Sequence, residues 1–223
     1  MKEDEQRARH GEQSDTLEKG CKAPVFAVSP HRINIDGKGV VTLVCFGGCP
    51  LNCRYCINRA HCFDPKKWHE YSPEQLYERV KKDNLYFLAT GGGITFGGGE
   101  PLLRAEFIRQ FRTLCGKEWK LNVETSLNVP SENVESLLDV VDHWIVDVKD
   151  MNPDIYRAYT GAENSRVVRH LQLLSACGKA EETVVKVPLI KDYNTEADRK
   201  ESMRQLRQLG FSRFDMLEYK VRE

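Results

Sequence analysis

Short apolar runs alternate with amphipathic stretches through most of this chain. The runs are Val40–Phe46, Gly93–Phe96, Lys120–Glu124, His143–Val148, Thr183–Leu189 and Phe214–Tyr219. Each is short and rich in Val, Ile, Leu or Phe, the pattern of a strand buried in a parallel sheet. Helical periods lie between them. Ser72-Pro73-Glu74-Gln75 predicts a capping box, after which Leu76 and Val80 share a face. Phe107, Ile108, Phe111, Leu114 and Cys115 form an apolar stripe that Gly116 can end. Ser131, after Pro130, predicts the cap of a helix carrying Val134, Leu137 and Leu138. Asn152-Pro153 opens a short helix with Ile155 and Tyr159. Val167, Leu171 and Leu174 belong to another, with Gly178 as its stop. Thr195 to Asp198 caps a last helix with Met203, Leu206 and Leu209, ended by Gly210.

Six strand–helix units in succession predict an α/β fold with a parallel sheet and helical crossovers. Six units are too few for the usual eight-unit closed barrel, so an open or partial barrel is expected. In either arrangement chemistry sits at the C-terminal ends of the strands. Residues 1–22 are polar and charged and read as a flexible tail, or as a short docking segment. Residues 23–223 then form one domain.

The 223 residues are 40% hydrophobic and 30% charged, enough apolar material for a core. Lys plus Arg and Asp plus Glu both number 33, and the resulting zero net charge argues against a generic nucleic-acid binder. The longest apolar run, Val40–Phe46, falls far short of the roughly 20 residues a membrane helix needs. With no apolar stretch near Met1 to act as a secretory signal, a cytoplasmic location is expected.

Five of the eight cysteines fall between positions 45 and 62. A disulfide framework would spread them and would want an oxidising compartment, whereas a local group points to a metal or cluster site. Cys49-Pro-Leu-Asn-Cys53-Arg-Tyr-Cys56 follows the first apolar run with C-x3-C-x2-C spacing. Three thiolates can hold three irons of a [4Fe–4S] cubane and leave the fourth open. The alternative is zinc, with His61 as a fourth ligand. Cys45 and Cys62 are spare ligands or, more commonly, small packed residues. Cys115 and Cys177 lie on helix faces and read as core, and Cys21 carries no reading. The second run ends in Phe96-Gly97-Gly98-Gly99-Glu100-Pro101, where backbone can approach a ligand closely.

The cysteine loop with Tyr55 before its last cysteine, joined to Gly-Gly-Glu after the second strand, resembles the radical S-adenosylmethionine (SAM) superfamily. Ala89–Leu103, Val146-Asp147-Val148-Lys149, Thr160-Gly161 with Asn164, and Lys186-Val-Pro188 through Asn194 resemble its glycyl-radical-enzyme activating proteins. The likeness covers about residues 33–220. It implies a partial (β/α)6 barrel, one [4Fe–4S] cluster on Cys49, Cys53 and Cys56, and SAM on the open iron. It further implies that Glu100 meets the SAM amino group, with room given by Gly98 and Gly99. Asp147 and Lys149 would lie near SAM, Tyr55 by the adenine and Lys186 by the ribose or carboxylate. Glu124-Thr125 stands where the family often has Asp-Thr and can hold a monovalent cation. The family often places His after a Tyr near the last strand; here Lys220 follows Tyr219. The implied activity is reductive cleavage of SAM to a 5′-deoxyadenosyl radical that abstracts a glycine Cα hydrogen in a glycyl-radical enzyme. A stand-alone enzyme modifying a peptide or small molecule is the alternative. The implied partners are that protein substrate and a flavodoxin- or ferredoxin-type electron donor, for a monomeric activase.

Overall fold

The computed structural model describes residues 21–219. Eight strands form one sheet in the order β3-β1-β2-β4-β5-β6-β7-β8. They are β1 (Ala23–Ile33), β2 (Val40–Phe46), β3 (His69–Tyr71), β4 (Gly93–Gly98), β5 (Lys120–Thr125), β6 (His143–Asp147), β7 (Thr183–Lys186) and β8 (Arg213–Asp215). The six expected strands all form, and each pairs with the next in parallel from β2 to β8. The sheet is open: β3 and β8 are its edges. The architecture is a partial barrel of six parallel strands with an antiparallel extension.

That extension was not foreseen. β1 pairs antiparallel with both β2 and β3. Pro24 and Pro30, with register shifts at Val25/Ala27 and Ser29/Arg32, break the alternation by which a strand is recognised. β3 is three residues long and mostly polar. The last two parallel strands also stop earlier than the apolar runs do. β7 ends at Lys186, and beyond β8 only the isolated Leu189–Glu218 bridge continues the pairing.

Helices join the strands along the described residues. They are α1 (Arg59–Cys62), α2 (Pro73–Val80), α3 (Asn84–Thr90), α4 (Ala105–Cys115), α5 (Ser131–Glu135), α6 (Pro153–Thr160), α7 (Ser165–Ala176) and α8 (Glu196–Gln208). The expected capping boxes are present at Ser72/Gln75 and Thr195/Asp198, and Asn152 caps α6 through the amides of Asp154 and Ile155. Ser131 differs: Pro130 is the capping residue of α5, and the Ser131 hydroxyl instead bonds His170 Nε2 at 2.9 Å. Cys115 is core, but Cys177 closes α7 and is exposed, which corrects its assignment to the interior. Cys21 packs half-buried against the core. Residues 1–20 of the polar tail, and Lys220, lie outside the described residues.

Strand alternation divides the sheet chemically. Val44, Phe46, Ile94, Phe96, Leu121, Val123, Trp144, Val146 and Val185 are buried in the apolar core. The intervening positions place Cys45, Thr95, Asn122, Glu124, Asp147 and Lys186 on the other, concave face. The β1–β2 connection closes one end of that face. There Arg32 pairs with Asp36, the Asp36 carbonyl accepts from Thr95 Oγ1 at 2.5 Å, and Asn122 Nδ2 donates to Thr95 Oγ1 at 3.1 Å.

Phe96 stacks on Phe46 with centroids 5.2 Å apart and meets Phe107 and Phe111 edge-on, joining β2 and β4 to α4. Phe96→Ala is expected to lower stability by about 3–5 kcal/mol in denaturant unfolding. A loss below about 1 kcal/mol would show that this contact does not anchor the helical layer.

Candidate active site

The cysteine loop leaves the end of β2 and is fixed on two sides by backbone bonds. Toward β4, Gly99 N donates to Phe46 O and Glu100 N to Gly48 O, each at 2.9 Å. Toward α6, Asn52 N donates to Thr160 O at 2.9 Å and Arg54 N to Tyr159 O at 3.2 Å. Asn58 Nδ2 adds a 2.8 Å bond to Gly98 O, and Arg59 reaches back to Asn52 Oδ1 and Cys53 O at 2.8 and 2.6 Å. The segment containing Thr160 and Gly161 thus supports the loop directly.

Cys49, Cys53 and Cys56 are free and half-buried within this frame. Burial pushes the Cys49 thiol up to about 12 and Cys53 to about 11. Binding to iron would have to displace those protons. Among the described residues no three His, Cys, Asp or Glu side chains converge where a single metal ion would sit. A cubane imposes a different requirement, because each cysteine meets its own iron and the thiolates stand around the cluster. The donor set fits that arrangement. His61, the fourth ligand of the zinc alternative, stacks on Phe26 with centroids 5.9 Å apart.

The spare cysteines pack against the glycine run. A Cβ on Gly98, whose φ is 90°, would lie 2.6 Å from Cys45 Cβ. One on Gly99 would strike Gly48 O and lie 2.8 Å from Cys62 Sγ. Both glycines are therefore required by the approach of β4 to β2 and the cysteine loop. Gly97 has ordinary clearance, facing Leu43 and Glu124.

Glu100 is 1% exposed. One carboxylate oxygen accepts from Thr125 Oγ1 at 2.6 Å and Leu102 N at 3.2 Å, and the other from Ser126 N and Oγ at 2.9 and 2.6 Å. Burial pushes its carboxyl above the ordinary range, while these donors pull the other way. The side chain ties the glycine run to the end of β5.

Besides Arg32–Asp36, two ion pairs lie on the concave face. Lys186 on β7 reaches across β6 to Glu124 on β5 at 2.5 Å. Lys149 pairs with Asp147, and Tyr219 joins them: its hydroxyl lies 2.5 Å from Lys149 Nζ and 3.0 and 2.8 Å from the Asp147 oxygens. Burial opposes the charge on both lysines. The neighbouring carboxylates outweigh it and hold both ammonium groups above the ordinary lysine value.

Tyr55 turns toward α6 and the segment after β7. Its ring meets Tyr159 and Tyr193 at 6.1 and 5.7 Å, and its hydroxyl donates to Asp192 at 3.2 Å. Tyr159 also contacts Tyr219 at 6.0 Å. The structure therefore gathers the predicted residues into one region, with Gly98, Gly99 and Glu100 under the loop and Glu124, Asp147, Lys149 and Lys186 beside it. Tyr159, Tyr193 and Tyr219 were missed as site residues. Their available signal was an aromatic side chain in the last turn of α6 or in the segments that follow β7 and β8.

Residues 43–206 match the family model of the radical SAM superfamily. The chain belongs to that superfamily. Within the superfamily it is 34% identical over 126 residues to the (2S)-3-sulfopropanediol dehydratase activating enzyme of Klebsiella oxytoca, covering 56% of this chain and 39% of that protein. It is 32% identical over 147 residues to the pyruvate formate-lyase 1-activating enzyme of Escherichia coli K12, covering 63% and 58%. The chain thus spans well under two thirds of these relatives. Streptococcus suis SuiB, solved with precursor peptide SuiA, shares the fold with a TM-score of 0.61 at 13% identity, over 77% of this chain and 37% of that one.

In this radical SAM chain, Glu100→Ala would leave the Thr125, Ser126 and Leu102 donors without their buried acceptor. Each such group costs about 1–3 kcal/mol. The substitution is expected to destabilise the cofactor-free protein by at least about 3 kcal/mol in urea unfolding. An unchanged midpoint would show that the carboxylate matters only to a ligand.

Proposed function

We propose that this chain holds one [4Fe–4S] cluster on Cys49, Cys53 and Cys56, cleaves SAM reductively, and abstracts a Cα hydrogen from a glycine of a glycyl-radical enzyme. The observation that carries the reading is the cysteine loop, held by the glycine run and α6 beside the charged concave face of the sheet. The similarity to two activating enzymes favours a protein substrate. When bound, such a cluster would supply the electron for reductive cleavage of SAM.

The protein's part is to bind, orient and exclude water. The backbone of Gly98 and Gly99 borders the loop, and Glu100 fixes that backbone through its bonds to Thr125 and Ser126. Lys149, on the Cys53 side, presents an ammonium for the SAM carboxylate, held in place by Asp147 and Tyr219. Tyr55, backed by Tyr159 and Tyr193, offers an aromatic wall for the adenine. Lys186, paired with Glu124, faces the ribose or carboxylate. The paired ions of the concave face also suit a neutral stretch of backbone around a glycine, since Lys149, Lys186 and Arg32 each have a carboxylate partner.

The test uses a purified glycyl-radical enzyme labelled with deuterium at glycine Cα. Under reduction with SAM, deuterium is expected in 5′-deoxyadenosine, and a glycyl electron-spin signal on the partner. Neither signal with the partner, but deuterium transfer from a small peptide or metabolite, would replace the activase reading with that of a stand-alone modifying enzyme. Tyr219→Phe keeps the ring but removes the hydroxyl that bonds Asp147 and Lys149. It is expected to weaken SAM binding about tenfold or more by calorimetry, in line with the loss of a charge-assisted hydrogen bond. Unchanged affinity would remove Tyr219 from the site.

A further inference from the structure

The segment after β5 holds a residue in an uncommon conformation. Leu127 has a φ of 58°, in the left-handed region, and is fully buried. A leucine seldom stays there unless its surroundings hold it. Here the peptide groups on both sides of it are held. Leu127 N donates to Thr125 Oγ1 at 2.9 Å, and Leu127 O accepts from His170 Nδ1 at 2.8 Å. A carbonyl oxygen can only accept, so Nδ1 carries a proton. In the neutral ring Nε2 then accepts from the Ser131 hydroxyl at 2.9 Å. His170 lies on α7 and has no exposed surface. One imidazole thus closes the turn from Leu127 to Ser131 at both ends.

The bonds continue toward the glycine run. His170 Nδ1 donates to Leu127 O, Leu127 N to Thr125 Oγ1, and Thr125 Oγ1 to a Glu100 oxygen at 2.6 Å. All three run in the same direction, an arrangement in which each bond polarises the next. Ser126, between the two held residues, places its amide and hydroxyl on the other Glu100 oxygen. Were Leu127 to return to negative φ, the peptide groups around it would rotate and these donors would lose their aim. Resting on the reading above, in which the glycine run borders SAM, we propose that His170 is a positioning residue for the site: by holding Leu127 it aims Thr125 and Ser126 at Glu100, and so fixes the glycine run against the cysteine loop.

Packing alone gives no reason for an imidazole here. A helix position turned into the core is filled at less cost by an apolar side chain, and a buried ring is tolerated only when its nitrogens find partners. Both partners of this ring belong to the turn that carries the Glu100 donors.

The two nitrogens can be separated by substitution. His170→Asn keeps a donor near the Nδ1 position and loses the bond to Ser131. His170→Gln keeps an acceptor near the Nε2 position and loses the bond to Leu127. Ser131→Ala removes only the Ser131 bond, and Thr125→Val cuts the chain one link nearer Glu100. Amide hydrogen exchange is read in the cofactor-free protein, with the Ser126 amide referenced to amides within β6. SAM affinity is read by calorimetry after reconstitution. His170→Gln and Thr125→Val are each expected to speed Ser126 exchange about tenfold and to weaken SAM binding by a similar factor, the upper end for one neutral hydrogen bond. His170→Asn and Ser131→Ala should stay within about twofold of wild type in both readouts. Equal behaviour of His170→Asn and His170→Gln would make His170 a core residue and overturn the proposal. So would wild-type SAM affinity in both His170→Gln and Thr125→Val. Failure of the reconstituted wild-type protein to bind SAM would count against the SAM reading itself, while the exchange comparison would still decide whether His170 holds the Glu100 donors in place.

Discussion

The end of β4 lies so close to the end of β2 that no side chain fits between them, and the candidate site depends on that approach. Gly98 and Gly99 meet Cys45, Gly48 and Cys62 at distances that exclude a Cβ. The backbone bonds Gly99 N to Phe46 O and Glu100 N to Gly48 O can form because the chains come that near. Once they form, the start of the cysteine loop has a fixed origin, and Glu100 extends the same support to Thr125 and Ser126 beyond β5. A buried carboxylate is costly unless its acceptor sites are filled, and here polar donors reach both oxygens. The charge is better understood as part of the frame than as a free ligand group.

The same parallel sheet separates stability from chemistry. Alternate positions send apolar side chains to the helical layer and polar ones to the concave face. Large residues such as Phe96, Trp144 and Phe107 can therefore fill the core without approaching the site. On the concave face Arg32, Lys149 and Lys186 are each matched by a carboxylate, so several paired charges stand near the cysteines. Tyr219 shows how this arrangement is completed from outside the sheet. The C-terminal segment follows β7 through the Leu189–Glu218 bridge and delivers a phenol to Asp147 and Lys149.

The parallel strands and most helix starts were legible in the sequence because their signals are local. β-branched runs mark β2 and β4 to β7, and Ser72, Asn152 and Thr195 carry capping chemistry within three residues. The cysteine spacing and glycine run were legible for the same reason. β1 was not, since two prolines and two register shifts hide its period and its partners are set by distant pairing. The capping role of Ser131 failed because a tertiary partner, His170, takes its hydroxyl. The tyrosines of the site come from α6, the segment after β7 and the C-terminal segment, and only the fold brings them together. The second reason for Gly98 and Gly99 was likewise hidden, because spacing cannot distinguish room for a ligand from room for another strand.

Whether the cysteine triplet holds an iron–sulfur cluster is decided by the metal content after anaerobic reconstitution. About four irons and four sulfides per chain are expected in the wild type and in Cys115→Ala. Cys49→Ala, Cys53→Ala and Cys56→Ala should each lose them. One zinc per chain without sulfide, or full iron retained in Cys53→Ala, would contradict the account.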